Sequence, residues 1–96
     1  IINGNDVQYI KRDGMKIIFH TFSRDYEIYS SFAKLQEHLP KNFIRCHKSF
    51  IANINNIVKL EPSSNLIYFK DNNYCDIGPK YKDAFMKGVN FDGMVE

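Results

Sequence analysis

No apolar run in this chain approaches the roughly 20 residues that a membrane-spanning helix needs. No basic-then-apolar segment opens it either, so no secretory signal and no membrane partner are expected. Only two cysteines occur, Cys46 and Cys75. That excludes the disulfide-dense framework of small secreted domains and suits reduced thiols in a cytosolic protein. With no C-x-x-C pair and no H-x-x-x-H spacing, no metal or other cofactor is expected. The five glycines are isolated, which rules out a Gly-rich phosphate loop and leaves each to a turn or a cap. Carboxylates are missing from one long stretch. None lies between Glu37 and Glu61, where Lys41, Arg45, Lys48 and Lys59 fall with His38 and His47. The net charge is only +2, yet this placement predicts a local positive potential that an anionic partner would feel. A solvated basic edge that blocks sheet-to-sheet association has the same pattern.

What is present suits one small β-rich domain. Ninety-six residues, 44% of them hydrophobic, with eight Phe and six Tyr, hold enough material for a single core. The first residue is Ile rather than Met, so a fragment of a longer protein is expected. Residues 6–12 alternate as a strand and meet a turn signal at Asp13-Gly14. Residues 15–22 and 26–29 continue as strands. From Ser31 the period changes: Phe32, Leu35 and Leu39 share a helical face, with Ser31 as N-cap and Pro40 as the stop. After the segment 43–53, a second apolar stretch runs from Ile54 to Leu60, and residues 61–65 read as a loop. Residues 66–70 and 74–77 form a hairpin about Asp71-Asn72-Asn73. Gly78-Pro79 closes it, and a final short helix is expected over 80–87 with Gly88 as its end and a loosely held tail over 89–96. Short strands with turn signals favour packed antiparallel sheets over a parallel fold.

The segment Phe43-Ile-Arg-Cys-His-Lys-Ser-Phe-Ile-Ala-Asn53 reads as one strand with two unlike faces. Arg45, His47 and Ser49 share one register; Ile44, Cys46, Phe50 and Ala52 share the other. Cys46 and His47 look like a nucleophile and its base, but neighbours on a strand point to opposite faces and cannot form the dyad. His47 and Ser49 lack an orienting carboxylate and any G-x-S-x-G elbow, so no enzyme is expected. Cys46 and Cys75 both fall in apolar registers, as small buried hydrophobes or as a reversible redox pair. Arg, Lys, Ser and Asn are the residue types that contact phosphates, and Arg or Lys also reads guanine edges. Lys48 breaks the alternation of its strand, which a bulge or strand end would explain by swinging it outward. Lys80 follows Gly78-Pro79 and is also expected to be exposed. The aromatic residues mostly occupy core registers, which favours duplex DNA over single-stranded RNA.

Phe43-x-Arg45-x-His47-x-Ser49-Phe50-Ile51-x-Asn53 with Ile57 resembles the signature of LytTR-type DNA-binding domains. Asp6-Val-Gln-Tyr-Ile10, His20-Thr21, Leu35-x-x-x-Leu39-Pro40 and Lys80-Tyr81 extend the resemblance over nearly the whole chain. Within the family the likeness is to the accessory gene regulator group, which shares R-C-H in the motif and a cysteine in the late hairpin. The resemblance implies a mainly β fold, an elongated stack of small antiparallel β-sheets with two short helices. It also implies a single domain over 1–96, with a receiver domain upstream and a sensor histidine kinase as the partner of the full-length protein. Loops would enter successive major grooves of promoter DNA at direct repeats. On that basis Lys48, Lys80, Met15 and Lys16 are the base-reading candidates, and Arg45, His47, Ser49, Asn53 and Tyr81 face phosphates or support loops. Three departures stand out: Gly78 where serine is common, Met15 where relatives present histidine, and Lys48 in place of Arg or Asn. A β-rich module for protein or small-molecule partners is the alternative reading.

Overall fold

The computed structural model describes residues 2–89. Its framework is two antiparallel sheets. The first holds five strands: β1 (Val7–Asp13), β2 (Lys16–Thr21), β3 (Asp25–Tyr29), β4 (Phe43–His47) and β5 (Phe50–Asn53), in the order β3-β2-β1-β5-β4. The second holds β6 (Ile57–Glu61), β7 (Leu66–Phe69) and β8 (Tyr74–Asp76) in sequential order. Two short helices, α1 (Phe32–Gln36) and α2 (Lys82–Gly88), complete the described residues' regular structure apart from single 3-10 turns. The mainly β stack is the architecture that the sequence predicts, and its extents of 35 × 28 × 21 Å make it longer than it is thick.

Strand alternation explains the layering. On β5, Ile51 points to one side of the first sheet and Ala52 to the other, and both are fully buried. Ile51 joins Val7, Ile10 and Ile17 beneath Phe32 of α1. Ala52 joins Cys46, then Leu60, Ile67 and Phe69 of the second sheet and Phe85 of α2. The order across the molecule is therefore α1, five-stranded sheet, then three-stranded sheet with α2. A register shift in β1 between Val7 and Tyr9 marks an irregularity at Gln8, which is fully buried. Its side-chain oxygen accepts from Asn73 Nδ2 at 3.1 Å, tying the two sheets together.

Local chemistry accounts for the turns. Asp13 pairs with Lys16 across a two-residue connection, and Gly14 takes φ +63°, where a side chain would be strained. Asp71 and Asn72 both adopt left-handed backbone between β7 and β8, the conformation that Asn and Asp tolerate better than most residues. Ser31 caps α1 by accepting from Lys34 N at 3.2 Å.

Four sequence expectations change. The segment 43–53 is a hairpin, not one strand: Lys48-Ser49 form its turn and β4 and β5 pair with each other. The first α-helix ends at Gln36, short of Pro40, with turns carrying the chain to Leu39. The second helix begins at Lys82 and not at Lys80, because Tyr81 N bonds to Gly78 O at 3.0 Å and makes 78–81 a β-turn with Pro79 at its second position. Val89 is buried against the core, so the tail's first residue is held; the expected loose tail otherwise lies outside the described residues.

Candidate nucleic-acid interface

The β4–β5 hairpin places the most informative residues. Its turn consists of Lys48 and Ser49, and the register slips between Arg45 and His47. Arg45 does not project into solvent. Its Nε donates to His47 O at 2.8 Å and a terminal nitrogen donates to Lys48 O at 2.5 Å. The guanidinium also lies 4.8 Å from the Phe32 ring centroid and 5.1 Å from that of Tyr81. One planar cation thus ties the turn to both helical segments, a job suited to Arg's fixed fork and stacking faces. The slip sets His47 opposite Phe50 while Arg45 stands opposite Ile51, so the two do not share the face that their spacing predicts. His47 Nδ1 accepts from Ser49 N at 3.0 Å, so the neutral ring carries its proton on Nε2. Both polar side chains bond to the backbone of their own turn. Lys48 is left exposed at the tip.

A second turn sits beside the first. Gly78 N donates to Cys46 O at 2.8 Å, docking the 78–81 turn against β4. A Cβ on Gly78 would stand 3.2 Å from His47 Cδ2 and 3.4 Å from His47 Cα, so glycine permits this approach. The serine common at this place in the resembling family would force the neighbours to give by a few tenths of an ångström. Between the two turns lies a cleft of about 510 Å³, lined by His47, Lys48, Gly78, Pro79, Lys80 and Tyr81. Two lysines share it, and no carboxylate of the described residues lines it.

The first hairpin forms a third projection. Met15 is 77% exposed at its tip. Lys16 is less available, since its Nζ lies 3.5 Å from the Glu27 carboxylate, although an exposed pair of this kind is worth little and breaks readily. Arg12 N donates to Ser49 O at 2.8 Å, so the end of β1 is fastened to the Lys48-Ser49 turn. Asn53, a candidate for phosphate contact or loop support, is fully buried. It donates to Val7 O at 2.8 Å and accepts from Asn42 Nδ2 at 2.7 Å and Asn55 N at 3.1 Å.

The cysteines lie behind this face. Cys46 and Cys75 are both buried, with sulfurs 3.9 Å apart. Hydrogen bonding with Cys46, followed by burial, holds the Cys75 thiol well above its ordinary pKa. No cluster of three or more His, Cys, Asp and Glu suited to a metal exists among the described residues. No described helix is long and apolar enough to cross a membrane.

Sequence reasoning missed Phe32 and Arg12. Phe32 carries two guanidiniums, with Arg12 5.9 Å and Arg45 4.8 Å from its centroid. Its place on the apolar face of α1 marked it only as core, and nothing local to either arginine indicates a ring brought from another element.

A family model described as the LytTr DNA-binding domain matches residues 1–90. Accessory gene regulator protein A of Staphylococcus aureus (strain N315) is 33% identical over 60 residues, covering 62% of this chain and 25% of that protein. The protein of the same name from Staphylococcus epidermidis matches with the same identity and coverage. The chain therefore spans about a quarter of the length of these curated relatives. A solved LytTr DNA-binding domain, from a Bacillus cereus protein described as a methyl-accepting/DNA response regulator, superposes with a TM-score of 0.86 at 26% identity. That match covers 94% of this chain and 86% of the other. With the family model spanning nearly every residue of the two-sheet stack, the chain belongs to the LytTr DNA-binding domain family.

Proposed function

We propose that this domain binds promoter duplex DNA sequence-specifically, as the output half of a bacterial two-component transcription regulator. The observation that carries the reading is the pair of adjoining turns that expose Lys48 and Lys80 on one cleft, with no carboxylate of the described residues in its lining. Lys48, Lys80 and the first-hairpin residues Met15 and Lys16 are the base-reading set, entering successive major grooves at direct repeats. Arg45, His47, Ser49, Asn53 and Tyr81 hold the loops. In the full-length protein a receiver domain precedes this single domain, a sensor histidine kinase phosphorylates the receiver, and the whole acts in the cytoplasm where the promoter is. No enzymatic step is part of the reading.

Salt dependence tests it. Each phosphate neutralised adds roughly −0.9 to the slope of log affinity against log salt on duplex DNA. We expect a steep negative slope and a footprint over paired repeats in a promoter fragment. A slope near zero, with no protected repeat, would instead favour a β-rich module for protein or small-molecule partners.

The proximity of the two sulfurs supports a redox function for the same face. Hydrogen peroxide would take two electrons and two protons from the two thiols, giving one Cys46–Cys75 disulfide and two waters. The thiolate is the attacking species, and Cys75 resists becoming one. Attack through Cys75 should accelerate as pH rises. Thiol titration after mild peroxide reads this directly, and two thiols persisting at every pH would sink the idea.

A further inference from the structure

Beside the first hairpin lies another cleft, of about 450 Å³, whose polar lining is Arg12, Tyr29, Ser30, Ser31 and Lys34, with Gly14 and Met15 of the hairpin tip. Among the described residues no acidic side chain lines it. Among the described residues neither Arg12 nor Lys34 has a carboxylate within ion-pair distance. The Arg12 guanidinium carbon lies 5.9 Å from the Phe32 ring centroid, a contact that uses none of its N–H donors in a hydrogen bond. Ser31 Oγ accepts from Lys34 N, and its hydroxyl hydrogen still has no fixed acceptor.

We infer that this cleft is a DNA-backbone site, taking one or two phosphodiester groups that flank the bases faced by the first hairpin. Arg12 supplies the planar donor fork and Lys34 a point charge. The inference rests on the DNA-binding reading and extends its footprint to residues outside the two-lysine cleft. Its polar groups, a guanidinium, an ammonium and three hydroxyls, are all of types that contact phosphate oxygens. Its position favours a duplex over a free anion. The cleft shares Gly14 and Met15 with the hairpin tip, and Arg12's own backbone N–H is bonded to Ser49 in the Lys48 turn. DNA seated on both turns passes this wall.

The test compares the wild-type domain with Arg12→Gln, Lys34→Gln and the double variant, on a selected and a random duplex over a range of salt. Each single variant should flatten the log–log slope by roughly 0.9, and the double variant by about twice that. Affinity should fall by the same factor on both duplexes. Single neutral methylphosphonate linkages placed along the selected duplex give a second readout: one or two positions should weaken the wild type and leave the double variant unaffected. Unchanged slopes and an unchanged linkage profile, in variants of a wild type that does show a steep slope, would overturn the cleft and leave DNA binding intact. A flat wild-type slope would overturn the underlying reading itself. An Arg12 that only braces Phe32 would lower the melting midpoint without moving the slope; Lys34→Gln, a change on the exposed side of a helix, keeps the test decisive in that case.

Discussion

Arg45→Ala should lower the melting midpoint by about 10–20 °C and weaken binding to preferred and random duplexes together. Two backbone carbonyls, His47 O and Lys48 O, lose their charged donor. A hydrogen bond to a charged group contributes roughly 1.5–3 kcal/mol, and each cation–π contact about 0.5–2 kcal/mol according to exposure. Arg45 is half-buried and the two bonds share one group, so about 2–3 kcal/mol is a fair total. For a domain of this size each kcal/mol moves the midpoint by about 4–8 °C. Arg45→Lys separates support from phosphate contact. Lysine keeps the charge but has neither the fork for two carbonyls nor a plane to lie between Phe32 and Tyr81. The lysine variant should therefore recover less than half of the lost midpoint and little of the base preference. A lysine variant that melts like the wild type and binds nearly as well would show Arg45 to be a phosphate contact after all.

The difference between Arg45 as first read and Arg45 as folded shows where sequence reasoning reached its limit. Alternation found β1, β2, β7 and β8, because Ile10, Ile17 and Ile67 lie in apolar registers and the connections carry Asp-Gly or Asp-Asn-Asn. It passed through Lys48-Ser49 because that turn contains no Gly, Asn, Asp or Pro, and the polar period continued across it. Lys48 in an apolar register was the one local sign of the break. Pro79 was ambiguous for a physical reason: a fixed φ suits the second position of a β-turn as well as the first residue of a helix. Cys46 and Cys75 were legible as interior neighbours, since burial follows register. Which atoms Arg45 bonds was not legible, because its acceptors are carbonyls of a turn not yet recognised.

Lys48→Ala and Lys80→Ala should each relax base preference, costing about 1–3 kcal/mol on a site selected from random sequence. Both lysines are exposed and line a common cleft, yet they come from different turns, so each can read its own base. The turns are braced separately. Arg45 and His47 hold the first, while the Gly78–Cys46 bond docks the second. Alanine at either tip removes a side chain and no scaffold contact, and the melting midpoint should barely move. That distinguishes these variants from Arg45→Ala, where stability and binding fall together. Losses of roughly 5- to 150-fold on the selected site follow from the energies above, against a smaller loss on random duplex. Repeating the selection with each variant should show degeneracy at one position for Lys48→Ala and at a different one for Lys80→Ala. Equal losses on selected and random DNA would mean that the lysines only neutralise phosphates, and the base-reading role would pass to the first-hairpin tip at Met15.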